Sequence, residues 1–309
     1  MLPPAFRSSG DLLADRRYDY AMAAKADGDL VAAADLLTQA LEMAPRWAAG
    51  WFALGEVEAA RSFTEAAASA FRQAIACDPD DAMGAGLMLA RLGLSTAGPA
   101  MSAGYVAALY DDYAPRFERS LREGLTYRGP EILRDAVSRA CTAAGRVPHV
   151  DRMLDLGCGT GLAGMVFAPL AAAIDGVDLS ARMVEQARRK GVYRSLSVGD
   201  LRSFLAGQAD ESANLVVAAD VFIYCADLAP IMGDIGRVLP RGGLSAFTVE
   251  THDGDGVILG DALRYAHGEP AVRAALAEGG LTPLVFEPAA IRQEAGRPVP
   301  GWAVVAGKA

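Results

Sequence analysis

Residues 153–161 read Met-Leu-Asp-Leu-Gly-Cys-Gly-Thr-Gly, and Gly176-Val-Asp-Leu-Ser180 follows in the next apolar stretch. An apolar strand that runs into a glycine-rich turn, then a second strand that ends in an acid, leaves few folds open. The layout predicts a nucleotide-type pocket at the carboxyl edge of a parallel sheet. Gly157, Gly159 and Gly161 let backbone approach a ligand where a Cβ would collide. Asp178 stands where a carboxylate can accept hydrogen bonds from both hydroxyls of a ribose. The spacing also discriminates between nucleotides. A dinucleotide fingerprint places a third glycine five residues after the first, and that position is Leu162. Asp155, two residues before the first glycine, would repel a pyrophosphate seated on helix amides. It suits a cationic ligand carrying an ammonium and a sulfonium.

On these residues the chain resembles the class I S-adenosylmethionine (SAM)-dependent methyltransferases, whose first motif looks like Asp155-Leu-Gly157-Cys158-Gly159-Thr-Gly161. The resemblance implies SAM as cofactor. It continues through Asp178-Leu179-Ser180 with Met183, where the acid would hold the ribose and the apolar neighbours flank the adenine. Val198-Gly-Asp200-Leu201 looks like the third motif, with Asp200 on the adenine amino group and Leu201 donating a backbone amide. Leu215 to Asp220, Val221 and Tyr224 resemble the fourth strand and the turn that faces the transferable methyl. Leu239-Pro-Arg-Gly-Gly243 resembles the turn before strand five. Together these matches cover residues 107–309. Taken singly, Asp200 and Asp220 also read as cap or turn acids.

The front third is a different object. Pro45 and Pro79 lie 34 residues apart, and the same shift places Ala33 on Ala67, Leu37 on Phe71 and Ala40 on Ala74. Trp51, Leu54 and Gly55 precede the second copy at the spacing of the tetratricopeptide pattern, which pairs small residues where two helices touch. In the first copy Tyr20 and Ala21 stand at the Leu-Gly positions. Residues 82–92 read as a closing helix. Two repeats and a cap bury their faces only against neighbours, so a packed appendage and a polypeptide-binding groove both remain open. Residues 1–95 are assigned to this tetratricopeptide-like domain, 96–106 to a glycine, proline and serine linker, and 107–309 to the methyltransferase domain.

Within the second part, residues 107–128 resemble a lid, with Tyr110, Tyr113 and Phe117 closing over the methionine end of SAM; their helical spacing also fits plain packing. The whole segment resembles bacterial predicted methyltransferases that carry tetratricopeptide repeats. Strands are expected near 151–156, 172–178, 193–198, 213–220 and 243–250, separated by helices, which gives a doubly wound α/β sheet. Residues 281–288 and 301–308 add two strands, and by resemblance the whole is a Rossmann-like seven-stranded methyltransferase sheet ending in an antiparallel hairpin.

Methyl transfer from a sulfonium is an in-line displacement, and an oxygen or carbon acceptor also needs a base. His267, after strand five, is the preferred base, with a loop-capping histidine as the alternative. Arg292-x-Glu294-x-Gly296 looks like that family's closing motif. Arg292 could grip an acceptor carboxylate or phosphate, or build the turn through Glu294. Tyr224 could position the acceptor.

The net charge of −9 counts against nucleic acid as a partner. The basic stretch Arg182, Arg188, Arg189 and Lys190 reads as a solvated helix face. No charge-free run of roughly twenty apolar residues predicts a membrane span. Cys77, Cys141, Cys158 and Cys225 lie far apart with no CxxC, which argues against a zinc site or disulfide frame. The expectation is a cytoplasmic SAM-dependent methyltransferase with a small-molecule or carrier-bound substrate and no metal. The alternatives are a protein methyltransferase whose repeats dock a protein partner, and a non-catalytic SAM-binding adaptor.

Overall fold

The computed structural model describes residues 8–95, 101–120, 127–294 and 296–309. The chain divides into two compact units, Met1–Asp112 and Tyr113–Ala309.

The first unit is helical: α1 (Leu12–Ala26), α2 (Leu30–Met43), α3 (Ala48–Ala60), α4 (Thr64–Cys77), α5 (Ala85–Arg91) and α6 (Ala103–Tyr113), whose last residue crosses the unit boundary. Asp11 caps α1 by accepting from the Leu13 and Ala14 amides, and Asp29 caps α2 through Ala32. The helices pair as two hairpins, α1 with α2 and α3 with α4. The residues that match at a shift of 34, Ala33 with Ala67, Leu37 with Phe71 and Ala40 with Ala74, are all buried. Gly55 shows why a small residue is needed between α3 and α4: a Cβ there would come within 2.5 Å of the Phe71 ring. Phe71 is itself enclosed, so it cannot swing away. Gly55→Leu should therefore overpack this seam and lower stability by about 1–3 kcal/mol. Chemical denaturation that shows no loss would refute a close α3–α4 contact.

The closing helix starts later than residue 82, because Gly84 takes a left-handed conformation and Asp81 caps α5 through the Ala85 and Gly86 amides. The sequence reading differs from the structure over the linker. Residues 96–100 lie outside the described residues, but 101–112 belong to the helical unit. The Ser102 hydroxyl donates to the Asp81 carbonyl at 2.9 Å, Gly104 lies where a Cβ would strike the Asp80 carbonyl, and the Tyr105 ring covers Gly84. Small residues here permit close docking instead of free movement. Tyr110 accordingly falls in the helical unit.

The second unit begins with a 3-10 turn and the short helix α7 (Phe117–Ser120), then α8 (Gly129–Ala143). Strand and helix alternate from there: β1 (Val150–Leu156), α9 (Leu162–Phe167), β2 (Ala171–Asp178), α10 (Ala181–Arg189), β3 (Ser195–Val198), α11 (Leu201–Ala206), β4 (Leu215–Ala218), α12 (Ala229–Val238) and β5 (Leu244–Glu250). A short antiparallel pair follows, β6 (Val257–Leu259) with β7 (Tyr265–His267), then α13 (Glu269–Glu278), β8 (Leu281–Glu294) and β9 (Arg297–Lys308).

Strands run β3-β2-β1-β4-β5 in parallel, and β9 joins β5 antiparallel with β8 outside it. These are the seven expected strands. Among the described residues the sheet has nine, because β7 pairs with the end of β5 through Ala266 and Glu250 and carries β6 beyond it. One face of the sheet is covered by α11, α12 and α13, the other by α8 and α9. The strand order reverses between β1 and β4, which opens a crevice at their carboxyl ends. That crevice is where the glycine turn lies.

Candidate active site

All three glycines of the turn have positive φ: +64° at Gly157, +53° at Gly159 and +90° at Gly161. Their empty side-chain positions serve different ends. A Cβ on Gly157 would meet Val221 at 2.5 Å, and one on Gly161 would meet the Tyr193 ring at 3.0 Å. Only Gly159 is open, with Phe117 at 3.9 Å as its nearest neighbour. Close ligand approach thus belongs to Gly159, while the outer two glycines make room for the protein's own side chains. Tyr193 also fills the space beside Gly164 and Gly176. One phenol ring explains three small residues.

Asp178 orients the turn. One of its carboxylate oxygens accepts from the Gly159 amide at 2.9 Å and the other from the Ser180 amide at 2.8 Å. A carboxylate accepts more than two hydrogen bonds, so the group that fixes the turn can also take ligand hydroxyls. Cys158 is buried, its amide bonded to Val177. Asp200 caps α11 by accepting from the Arg202 and Ser203 amides through Oδ1. Its side chain is exposed, and Oδ2 has no protein partner among the described residues. Leu201, just after it, is buried. Of the two apolar residues assigned to the adenine, Leu179 is half-buried and Met183 wholly enclosed. Met183 supports α10 from within and presents no surface.

Asp155 does not face the ligand as a bare anion. It is 1 % exposed and accepts from the Tyr193 hydroxyl at 2.6 Å. Burial pushes its carboxyl up to about 7, against the lowering effect of the Tyr193 bond. The residue braces the turn from below.

The end of β4 carries a second cluster. Asp220 has φ +62°, and its amide donates to the Thr248 hydroxyl at 2.8 Å. Arg292, 2 % exposed, commits its whole guanidinium to carboxylates: Nε to Glu294 at 3.0 Å, one terminal nitrogen to Asp220 and the other to Glu250. Arg264 closes the ring by pairing with Glu250 and Glu294. The expected grip on an acceptor carboxylate is therefore replaced. Arg292 holds three carboxylates of its own chain, and the Glu294 pairing is the turn-building contact. Burial raises the Asp220 carboxyl above its ordinary range in spite of Arg292 and Arg264.

His267 ends β7 and is 1 % exposed. Its Nε2 lies 2.9 Å from the Cys225 carbonyl. A carbonyl only accepts, so Nε2 carries the proton and Nδ1 bears the lone pair. Nδ1 is buried with no partner among the described residues. Burial holds the imidazole neutral by lowering its pKa. His267 ties β7 to the segment after β4 in a packed position, where a base on the side of acceptor entry was expected. Tyr224 lies in the 3-10 turn Phe222–Tyr224, and its phenol raises the Arg292 pKa as a minor contributor.

Three participants had no signal in the sequence: Tyr127, Tyr193 and Glu250. Tyr127 donates to the Ala219 carbonyl at 3.3 Å, and burial, then Asp220 and Asp155, drives its phenol upward. Its hydroxyl therefore sits at the end of β4. Tyr113 stacks edge-on against Phe117, and the Gln186 amide from α10 holds the Ala114 carbonyl at 2.6 Å. Residues 121–126 of the expected lid lie outside the described residues.

Residues 154–247 match the family model described as a methyltransferase domain. The chain is similar to "Methyltransferase-like protein 27" of Homo sapiens, 38 % identical over 90 residues, covering 29 % of this chain and 35 % of the relative. It is also similar to a malonyl-acyl-carrier-protein O-methyltransferase of Serratia marcescens, 28 % identical over 151 residues, covering 49 % and 58 %. The chain thus spans only part of the length of the curated relatives it matches. Among solved structures it shares the fold of the cyclase SpnF at a TM-score of 0.54, with 18 % identity over 67 % of this chain and 96 % of that one.

Proposed function

We propose that this chain is a SAM-dependent methyltransferase acting on a small-molecule or carrier-bound acceptor. The observation that carries the reading is the pairing of an open Gly159 with Asp178, inside a segment that matches a methyltransferase domain. Those residues fit the cofactor: Asp178 for the ribose hydroxyls, Asp200 Oδ2 and the half-buried Leu179 for the adenine, and the Phe117 and Tyr113 rings for the methionine end. SAM supplies an activated methyl on sulfur; the chain's part is to bind it, orient it and keep water out. Catalysis then rests on positioning and desolvation more than on proton transfer.

A cyclase shares this fold, so fold alone does not specify methyl transfer. The helical unit supports the reading as tetratricopeptide-like, through its 34-residue register and the Gly55–Phe71 seam. Docking of a protein substrate on it is the second reading. The free cysteines suit a reducing, cytoplasmic setting. No helix among the described residues is long and apolar enough to cross a membrane.

Titration calorimetry tests the cofactor. Wild type should bind SAM, and Asp178→Ala should lose a charge-assisted interaction of about 1.5–3 kcal/mol, roughly ten- to hundredfold in affinity. Unchanged SAM affinity in that variant, or tight NAD binding by the wild type, would overturn the assignment.

A further inference from the structure

The charges at the end of β4 restrict what this edge can accept. Asp220, Glu250 and Glu294 bring three carboxylates together, and Arg264 and Arg292 bring two guanidiniums. At their usual protonation two positive and three negative charges leave a net of −1. Every nitrogen of the Arg292 guanidinium is already on a carboxylate of the chain. A carboxylate or phosphate on the acceptor would therefore find Arg292 occupied and a cluster that is negative overall.

Asp220 is the carboxylate of the cluster that follows β4, partly open beside the more exposed Glu294 and Arg264. Its side chain is 17 % exposed, against 2 % for Arg292. Arg292 holds Oδ1, and Oδ2 has no hydrogen-bond partner among the described residues. The residue sits beside the cofactor turn, because Val221, the next in sequence, fills the side-chain space of Gly157. His267 Nδ1, in the strand whose Ala266 pairs with Glu250, is also without a donor, but it is enclosed in the packed interior and the open acceptor is Asp220 Oδ2. An ammonium, with three N–H donors and a positive charge, supplies what this edge lacks.

We propose that the methyl acceptor is an amine, received as its ammonium by the Asp220 carboxylate, so that the reaction is an N-methylation. This rests on the methyltransferase reading above. The ammonium first gives one proton to Asp220, which passes it to solvent. The freed nitrogen lone pair forms the N–C bond while the methyl's S–C bond breaks and its electron pair stays on sulfur. The product leaves as a methylated ammonium with a neutral thioether beside it. Charge and atoms balance without a further reactant.

The test incubates the full chain with methyl-labelled SAM and the small-molecule fraction of a bacterial extract, then sorts the labelled products chemically. The expected product binds a cation exchanger at neutral pH and keeps its label in mild base. Asp220→Asn should lower that labelling by at least about tenfold, the loss of one charge-assisted contact, while SAM affinity stays within about twofold. Asparagine is suited to the left-handed backbone at this position. Label released as methanol by mild base marks a methyl ester and overturns the inference, as does label confined to anionic or neutral products. Amine labelling undiminished in Asp220→Asn overturns it too. The wild-type product class decides the matter even if the variant fails to fold. Absence of any labelled product from protein that binds SAM would instead overturn the methyltransferase reading, and this inference with it.

Discussion

Replacing Arg292 with methionine should destabilise the second unit by about 3–5 kcal/mol, the usual cost of leaving a buried charge partner uncompensated. The side chain is 2 % exposed, and its loss strands the largely enclosed Asp220 and leaves Glu250 and Glu294 to share Arg264 alone. Like charges would then face one another where three pairings had been. Arg292→Lys should fall between, since an ammonium keeps the charge but cannot span three carboxylates as a planar fork does. Adding Asp220→Asn to Arg292→Met should recover part of the loss, because it removes the stranded charge. Hydrogen exchange of the β5 and β9 amides reads the effect in the unit concerned. A loss under about 1 kcal/mol in Arg292→Met would show that the cluster is solvated and carries little.

That cluster also marks where the sequence stopped being readable. Arg292 and Ile291 are adjacent and both buried, although neighbours in a regular strand face opposite sides. The ladder between β8 and β9 shifts register between Ala290 and Gln293, and an irregularity of this kind turns two consecutive side chains inward. Period-two reasoning cannot place such a residue. Glu250 was equally silent, since its partner Arg292 comes from a strand far along the chain.

The parts that were legible depend on local rules. The β1 turn, β2 acid and Asp200 cap each follow from a few adjacent residues, and the parallel strands fall where alternating apolar runs put them. The glycines show the limit of such rules. A positive φ at Gly157 and Gly161 could be expected from the turn, but Tyr193 and Val221 as the reason for missing side chains could not. Tyr193 lies beyond α10 and returns under the turn only once the sheet has formed. The β6–β7 pair was missed because three-residue strands carry no periodic signal.

The burial of Asp155 beneath the glycine turn leads to a pH effect of comparable size. Asp155 has an ordinary pKa of 3.8 when exposed in the unfolded chain and about 7 in the fold, with burial as the largest cause. The folded state therefore holds a proton that the unfolded state has already released across that interval. The contribution of Asp155 to stability is most favourable below about pH 4, falls as the pH rises toward 7, and carries its full penalty above it. Integrating the proton linkage gives a penalty on the order of 4 kcal/mol. Asp155→Asn has no charge to bury, and its side-chain oxygen can still accept from the Tyr193 hydroxyl. Its stability should decline less between pH 4 and 7 than that of the wild type, so that the variant gains on the wild type as pH rises. The comparison between the two proteins cancels the other carboxylates that titrate in the same range, Asp220 among them. Urea denaturation at pH 4.5 and 7.5 measures it. Parallel slopes for the two proteins would mean that Asp155 is ionised in the fold, and that the turn is braced by a charge instead of a shared proton.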